Sequence, residues 1–266
     1  MFSRKFIIRT LAAIGIYIAI ASYVFKNEAH YFFDHKPIEV SKTYQFHIPF
    51  KELNIPINKD IHLHGLFFTH EKPKGLILLF PSGDHDAEDF DPRDFFLYRI
   101  GYNLIIPDYR GTGKSNSQYD LEGDMYQDAL QWYRLSKRMA DSSTYMVYGQ
   151  DFGTGMAAWV GGKHQVDLVI LENPYFSWDE IMLKKYFWWL PHTYFTHYHI
   201  PLWQFLRKSM NRNILIHASA NHFIPYENSQ RLLEFFKPGD ELITTEGERV
   251  DQNSADFQHK LEKFLK

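Results

Sequence analysis

The stretch "MVYGQDFGTGMAAW", Met146 to Trp159, decides how this chain is read. Apolar and aromatic residues run into Gly149-Gln150-Asp151-Phe152-Gly153, and a run of small and apolar residues follows. The first part suits a buried strand and the last a tightly packed helix. The two glycines let a tight strand–turn–helix pack closely, and a bulky residue at either position would clash. Asp151 stands at the tip of that turn. It is either a carboxylate placed for chemistry or a residue that tolerates an unusual backbone angle better than most. It could also cap the helix that follows.

Working outward, strand-like and helix-like segments alternate. Strand candidates are residues 44–49, 61–68, 76–80, 103–107, 144–148, 166–171, 214–217 and 241–245; helix candidates are 89–100, 123–139, 152–162, 227–236 and 254–265. The first two strands alternate apolar and polar residues and read as a half-exposed antiparallel pair. Residues 76–80, 103–106 and 166–171 are nearly continuous apolar runs, the mark of strands buried on both faces. In the last helix Phe257, Leu261 and Leu265 recur at i, i+4, i+8. Such alternation predicts a mostly parallel α/β sheet with helices on both faces. No repeat and no linker divides residues 40–266, so one domain is expected.

Composition narrows the function. Of 266 residues, 45% are apolar and 17% aromatic, enough for a large core. A net charge of −3 without charged blocks speaks against a nucleic-acid partner. The absence of cysteine excludes disulfides, thiolate catalysis and Cys-ligated metals, and fits an exported protein. Residues 1–30 read as a membrane anchor or signal segment. Arg4, Lys5 and Arg9 precede residues 11–25, which carry no charge, and a span needs about 20 apolar residues. Ala19-Ile20-Ala21 resembles a cleavage site, and a buried helix is the third option. The apolar run continues through Tyr23-Val24-Phe25, which favours an uncleaved anchor. Positive charge before it places the domain on the exocytoplasmic (periplasmic) side.

Residues 174–211 break the rhythm with a dense set of aromatics, including Trp178, Trp188, Trp189 and Trp203. This insertion is expected to be a lid over an apolar small-molecule ligand, a face toward the bilayer, or a packing layer. His192, His197 and His199 fall here at irregular spacing without a carboxylate pair, so no metal site is expected. No phosphate-cradling loop precedes a helix, and no cofactor is implied.

Four motifs together resemble the α/β-hydrolase superfamily, in particular its bacterial, membrane-anchored serine-hydrolase-like branch. "PDYRGTGKS", residues 107–115, looks like the D-x-R-G-x-G-x-S turn. "YGQDFGTG" resembles the nucleophile elbow, usually Y-G-x-S-x-G-T-G. "ILIHASANHFIPYENSQRL" is similar to the segment that presents the acid, and "ELITTEGERVDQ" to the strand and loop that present the histidine. The resemblance implies an α/β-hydrolase fold and assigns positions. Asp151 stands where the nucleophilic serine belongs, Asn221 where the acid belongs and Val250 where the histidine belongs. The oxyanion-equivalent positions are Ser82, after Phe80-Pro81 in place of the usual H-G, and Phe152.

Each departure has a chemical consequence. Valine accepts no proton, and asparagine does not stabilise an imidazolium, a change that costs about 10⁴ in turnover in serine proteases. Pro81 has no N–H to offer an oxyanion. The triad as a whole reads as a site released from catalysis, which makes the chain a pseudoenzyme with a ligand- or partner-binding role at the cell envelope. The enzymatic alternative rests on Asp151-Phe152-Gly153, which resembles D-W-G of haloalkane dehalogenases and epoxide hydrolases. There a carboxylate attacks and a histidine-activated water clears the ester. His222 is the alternative base, with Glu227 or Glu172 as its partner, and the substrates would be apolar esters, halides or epoxides. Asp108 and Arg110 read as an ion pair under the Gly111–Gly113 turn.

Overall fold

The computed structural model describes residues 3–28, 37–83, 90–140, 143–186, 188–189 and 196–265. Helix α1, Arg4–Lys26, comes first. Strands β1 (Phe50–Pro56), β2 (His62–Phe68) and β3 (Gly75–Phe80) follow, then the four-residue α2 (Phe96–Arg99) and β4 (Tyr102–Pro107). Next come α3 (Glu122–Ala140), β5 (Thr144–Gln150), α4 (Gly153–Lys163), β6 (Leu168–Glu172) and α5 (Trp178–Lys185). The chain closes with α6 (Leu202–Lys208), β7 (Asn213–Ala218), α7 (Glu227–Leu232), β8 (Glu241–Thr245) and α8 (Ala255–Glu262).

The eight strands form one sheet in the order β1-β2-β4-β3-β5-β6-β7-β8. β1 pairs with β2, and β2 with β4, antiparallel; every other neighbouring pair is parallel. The period-two alternation of side chains divides the core into two faces. Leu76, Leu78 and Phe80 of β3 meet Met125, Ala129 and Trp132 of α3 and Met156 and Ala157 of α4. Ile77 and Leu79 belong to the other cluster, with Phe96, Leu97 and Tyr98 of α2 and Phe257 and Leu261 of α8.

Two expectations need correction. Residues 44–49 are not a strand; the strand begins at Phe50 and pairs Phe50 with Phe68 through Pro56 with His62. Tyr44, Phe46, Ile48 and Phe50 continue one alternation, but the first three pack irregularly on the α2 side of the core. Tyr44 lies flat on the His64 ring at 5.7 Å. The helix expected over 89–100 is also shorter. Within its described part, Pro92–Asp94 is a 3-10 turn whose Asp91 carboxylate accepts the Arg93 N–H at 2.9 Å. Phe95 is extended, so α2 can start only at Phe96.

Among the described residues, α1 is the helix long and apolar enough to cross a membrane. Its 23 residues reach about 35 Å. Most of it is exposed, but Val24 and Phe25 are buried in the core cluster that also holds Tyr198 and Ile200. Part of the aromatic insertion is core as well: Tyr175, Trp178 and Tyr198 are buried, while Trp188 stands 77% exposed.

Candidate functional site

β5 runs through the middle of the sheet and ends at Gln150, and α4 begins three residues later. Asp151 holds the turn with φ of +44°, in the left-handed region. The two glycines explain how the turn closes. A Cβ on Gly153 would lie 2.2 Å from the Phe80 carbonyl oxygen, and one on Gly149 would lie 2.5 Å from the Gly153 carbonyl oxygen. Only glycine lets α4 approach β3 and β5 this closely. The Asp151 N–H donates to the Glu172 carbonyl at 2.9 Å, and its own carbonyl accepts from the Thr154 N–H and hydroxyl at 3.1 and 2.5 Å. The N-cap of α4 is Phe152 and no side chain caps it, so Asp151 is not the capping residue.

Ser82 and Phe152 are the positions that motif resemblance assigns to an oxyanion site. Ser82 is buried and follows Pro81, whose carbonyl accepts the Tyr109 hydroxyl at 2.8 Å. The ring of Phe152 is 1% exposed and wedged edge-on between Tyr109 and Trp178, at 5.4 and 4.9 Å. Aromatic side chains thus fill the space behind the elbow.

Beneath the elbow lies a polar cluster. Glu172 ends β6 with its carboxyl buried, and one oxygen, Oε2, accepts from the Tyr148 hydroxyl at 2.5 Å, Gln150 Nε2 at 3.2 Å and Gln252 Nε2 at 3.1 Å. Burial pushes the Glu172 carboxyl up, against the pull of these three donors. Burial, with Glu172 beside it, likewise drives the Tyr148 phenol well above its ordinary range. Gln252 comes from the loop after β8 and also accepts the Phe96 N–H at 3.0 Å.

The remaining matched positions lie in the loops after β7 and β8. Asn221 Oδ1 accepts the N–H groups of Phe223 and Ile224 at 3.0 and 2.9 Å, a local turn that holds the amide in place. Val250 is half-buried and packs against the cluster that contains Phe96 and Phe257. His222 stands 83% exposed, 3.4 Å from Glu248. Neither Glu227 nor Glu172 is its partner; the described hydrogen bonds of the Glu172 side chain all go to Tyr148, Gln150 and Gln252. His217 is the buried histidine of this region. Its Nε2 meets the Ile224 carbonyl at 2.9 Å and must donate there, so Nδ1 accepts the Ser229 hydroxyl at 2.7 Å. Burial lowers its proton affinity.

No family model matches the chain. An esterase from Pyrococcus furiosus aligns with a TM-score of 0.66 over 86% of this chain and 98% of its own, at 19% identity. An α/β hydrolase from a Penicillium species aligns with a TM-score of 0.62 over 82% of this chain and 97% of its own, at 12% identity. Sheet order, elbow and neighbours agree. The chain has the α/β-hydrolase fold.

In an α/β-hydrolase fold the elbow presents its central residue at the carboxyl edge of the sheet, and here that residue is Asp151. The polar cluster under it was not legible as a unit, because its members come from β5, β6 and the loop after β8. The one sequence signal was a glutamate closing the apolar run Leu168–Glu172. The turn at residues 107–115 also differs from expectation. Arg110 does not pair with Asp108; its guanidinium takes Asp128 of α3 in two bonds of 2.7 Å. Asp108 instead bonds His64 Nδ1 at 2.6 Å and accepts the Lys114 N–H at 3.0 Å. His64 Nε2 meets Glu52 at 3.0 Å, and Lys114 Nζ reaches the same carboxylate at 2.8 Å. These charges brace β1, β2 and the turn; they lie outside the elbow cluster.

Proposed function

We propose that this α/β-hydrolase-fold protein is a membrane-tethered pseudoenzyme, which binds a ligand or partner at the cell envelope instead of turning over a substrate. The histidine position carries this reading. Val250 is half-buried and packs against the apolar core, and the side chain of that loop that bonds Glu172 is Gln252, an amide that takes no proton at neutral pH. The acid position supports it, since Asn221 spends its side-chain oxygen on a local turn. Serine-hydrolase chemistry needs a base and an orienting acid together. α1 supports the tether by its length and its exposed apolar surface. The charges of Arg4, Lys5 and Arg9 favour a domain outside the cytoplasm.

A fluorophosphonate probe tests this reading. The full-length protein should stay unlabelled, and short p-nitrophenyl esters should be hydrolysed at the rate of an unrelated protein. Stoichiometric labelling of a serine would sink it.

One observation favours a second reading, attack by Asp151 on an apolar ester, halide or epoxide. The carboxylate sits at a strained backbone of φ +44° before the N-terminus of α4, where an anion is stabilised. Clearing the resulting ester needs an activated water, and His222 lies at the surface beside Glu248.

A further inference from the structure

The end of α1 is not a free tether. Ala21, Val24 and Phe25 pack into the domain core. Glu28, two residues past the helix, is 1% exposed and accepts the Thr196 hydroxyl and, at 3.1 Å, the His197 N–H. Higher on the helix, the Tyr17 hydroxyl donates to the Trp189 carbonyl at 3.2 Å, and the two rings meet edge to face at 6.1 Å. The aromatic insertion therefore grips α1 at two levels, and one of them lies within the apolar stretch itself.

Length turns this grip into a membrane argument. Because the domain takes hold from Ala21 onward, the stretch left for lipid runs from Phe6 to Ile20, apolar but for Arg9 and Thr10, about 22 Å at 1.5 Å per residue. The hydrocarbon core of a bilayer is roughly 30 Å thick. A helix short of this thickness draws neighbouring protein into the bilayer or thins it. With Trp189, 39% exposed and in contact with Tyr17, the insertion presents Tyr186 at 39% and Trp188 at 77% exposure. Large amphipathic rings at the end of a span are the residues that settle at the lipid interface. Lys184 and Lys185, exposed on the last turn of α5, stand just before them.

We infer that Tyr186, Trp188 and Trp189 enter the leaflet at the carboxyl end of α1 and complete the span, so that the face carrying the insertion rests on the bilayer. This rests on the anchor reading of α1. The partner is the lipid surface, not a soluble protein: the contact is continuous with a lipid-exposed helix, and the patch is aromatic with basic residues at its edge. It also orients the fold. Tyr186, Trp188 and Trp189 then face lipid, and an apolar molecule reaching the domain would come from the membrane side.

The test uses the full-length protein in phosphatidylcholine vesicles that contain lipids brominated at shallow or at deep chain positions. Bromine quenches nearby tryptophan, so the wild type is compared with a Trp188→Phe/Trp189→Phe double variant, which keeps the apolar surface. Shallow bromines should quench the wild type, and the double variant should lose most of that quenching, with its melting temperature unchanged. Carbonate washing separates the two levels of the argument. If the protein resists carbonate but both forms are quenched alike, or neither is, the anchor stands and the aromatic contact is refuted. If carbonate releases the intact chain, the anchor reading falls and this inference with it. Quenching only by deep bromines would refute an interfacial position.

Discussion

The N–H of Asp151 donates to the carbonyl of Glu172 at 2.9 Å, joining the tip of the elbow to the end of the neighbouring strand. With the Thr154 hydroxyl on the Asp151 carbonyl at 2.5 Å, the turn is fastened through the main chain of Asp151 on both sides.

Asp151→Ala should therefore keep the fold, at a cost of about 1 kcal/mol or less. Gly153→Val should cost about 3 kcal/mol or more, because its Cβ would lie 2.2 Å from a backbone oxygen that cannot swing aside. Thermal melts of both variants check this; a smaller loss for Gly153→Val would contradict the elbow.

Glu172 should give stability a pH dependence. Burial raises its folded pKa above the unfolded value of 4.5. Its contribution is then fully present below 4.5 and is lost as pH rises through the folded value. Glu172→Gln stays neutral throughout. The melting temperature of the variant minus that of the wild type should rise as pH climbs above 4.5, and a flat or falling difference would contradict the buried carboxyl.

Removing the acceptor at Glu28 should loosen the insertion. Glu28→Ala leaves the Thr196 hydroxyl and the His197 N–H without it, at a cost of about 1–3 kcal/mol. Hydrogen exchange at the His197 amide should speed up in the variant. Unchanged exchange would mean that α1 does not fasten the aromatic segment.

Arg110 and Asp128 form a buried pair, and breaking one side of such a pair costs about 3–5 kcal/mol. Asp128→Ala should fall in that range in denaturant melts. A negligible loss would revive Asp108 as the partner of Arg110.

The sequence exposed the fold where local pattern and burial coincide. Leu76–Phe80 and Leu168–Leu171 are apolar without a break because their strands are covered on both sides, and the elbow is legible because its glycines are forced by backbone contact. It misled at residues 44–49, where one alternation runs through an irregular segment into the true edge strand. It misled again at Arg110, whose partner lies 18 residues away on α3. Motif resemblance assigned Asn221 and Val250 to the loops after β7 and β8, and they lie in those loops. The cluster of Glu172, Gln150 and Gln252 could not be read in this way, because three separated polar residues carry no shared spacing and meet only when the sheet forms. The grip of Glu28 on Thr196 and His197 was hidden for the same reason, with 168 residues between acceptor and donor.

The fate of Asp151 is read most directly by exposing the full-length protein to bromoalkanes and epoxides of graded chain length and mapping the peptide that spans Met146 to Trp159 by mass. An aspartate nucleophile without a base to clear its ester would accumulate the adduct. Loss of catalysis at this elbow predicts an unmodified peptide at every chain length. An alkyl ester on Asp151 that disappears in Asp151→Asn would contradict it.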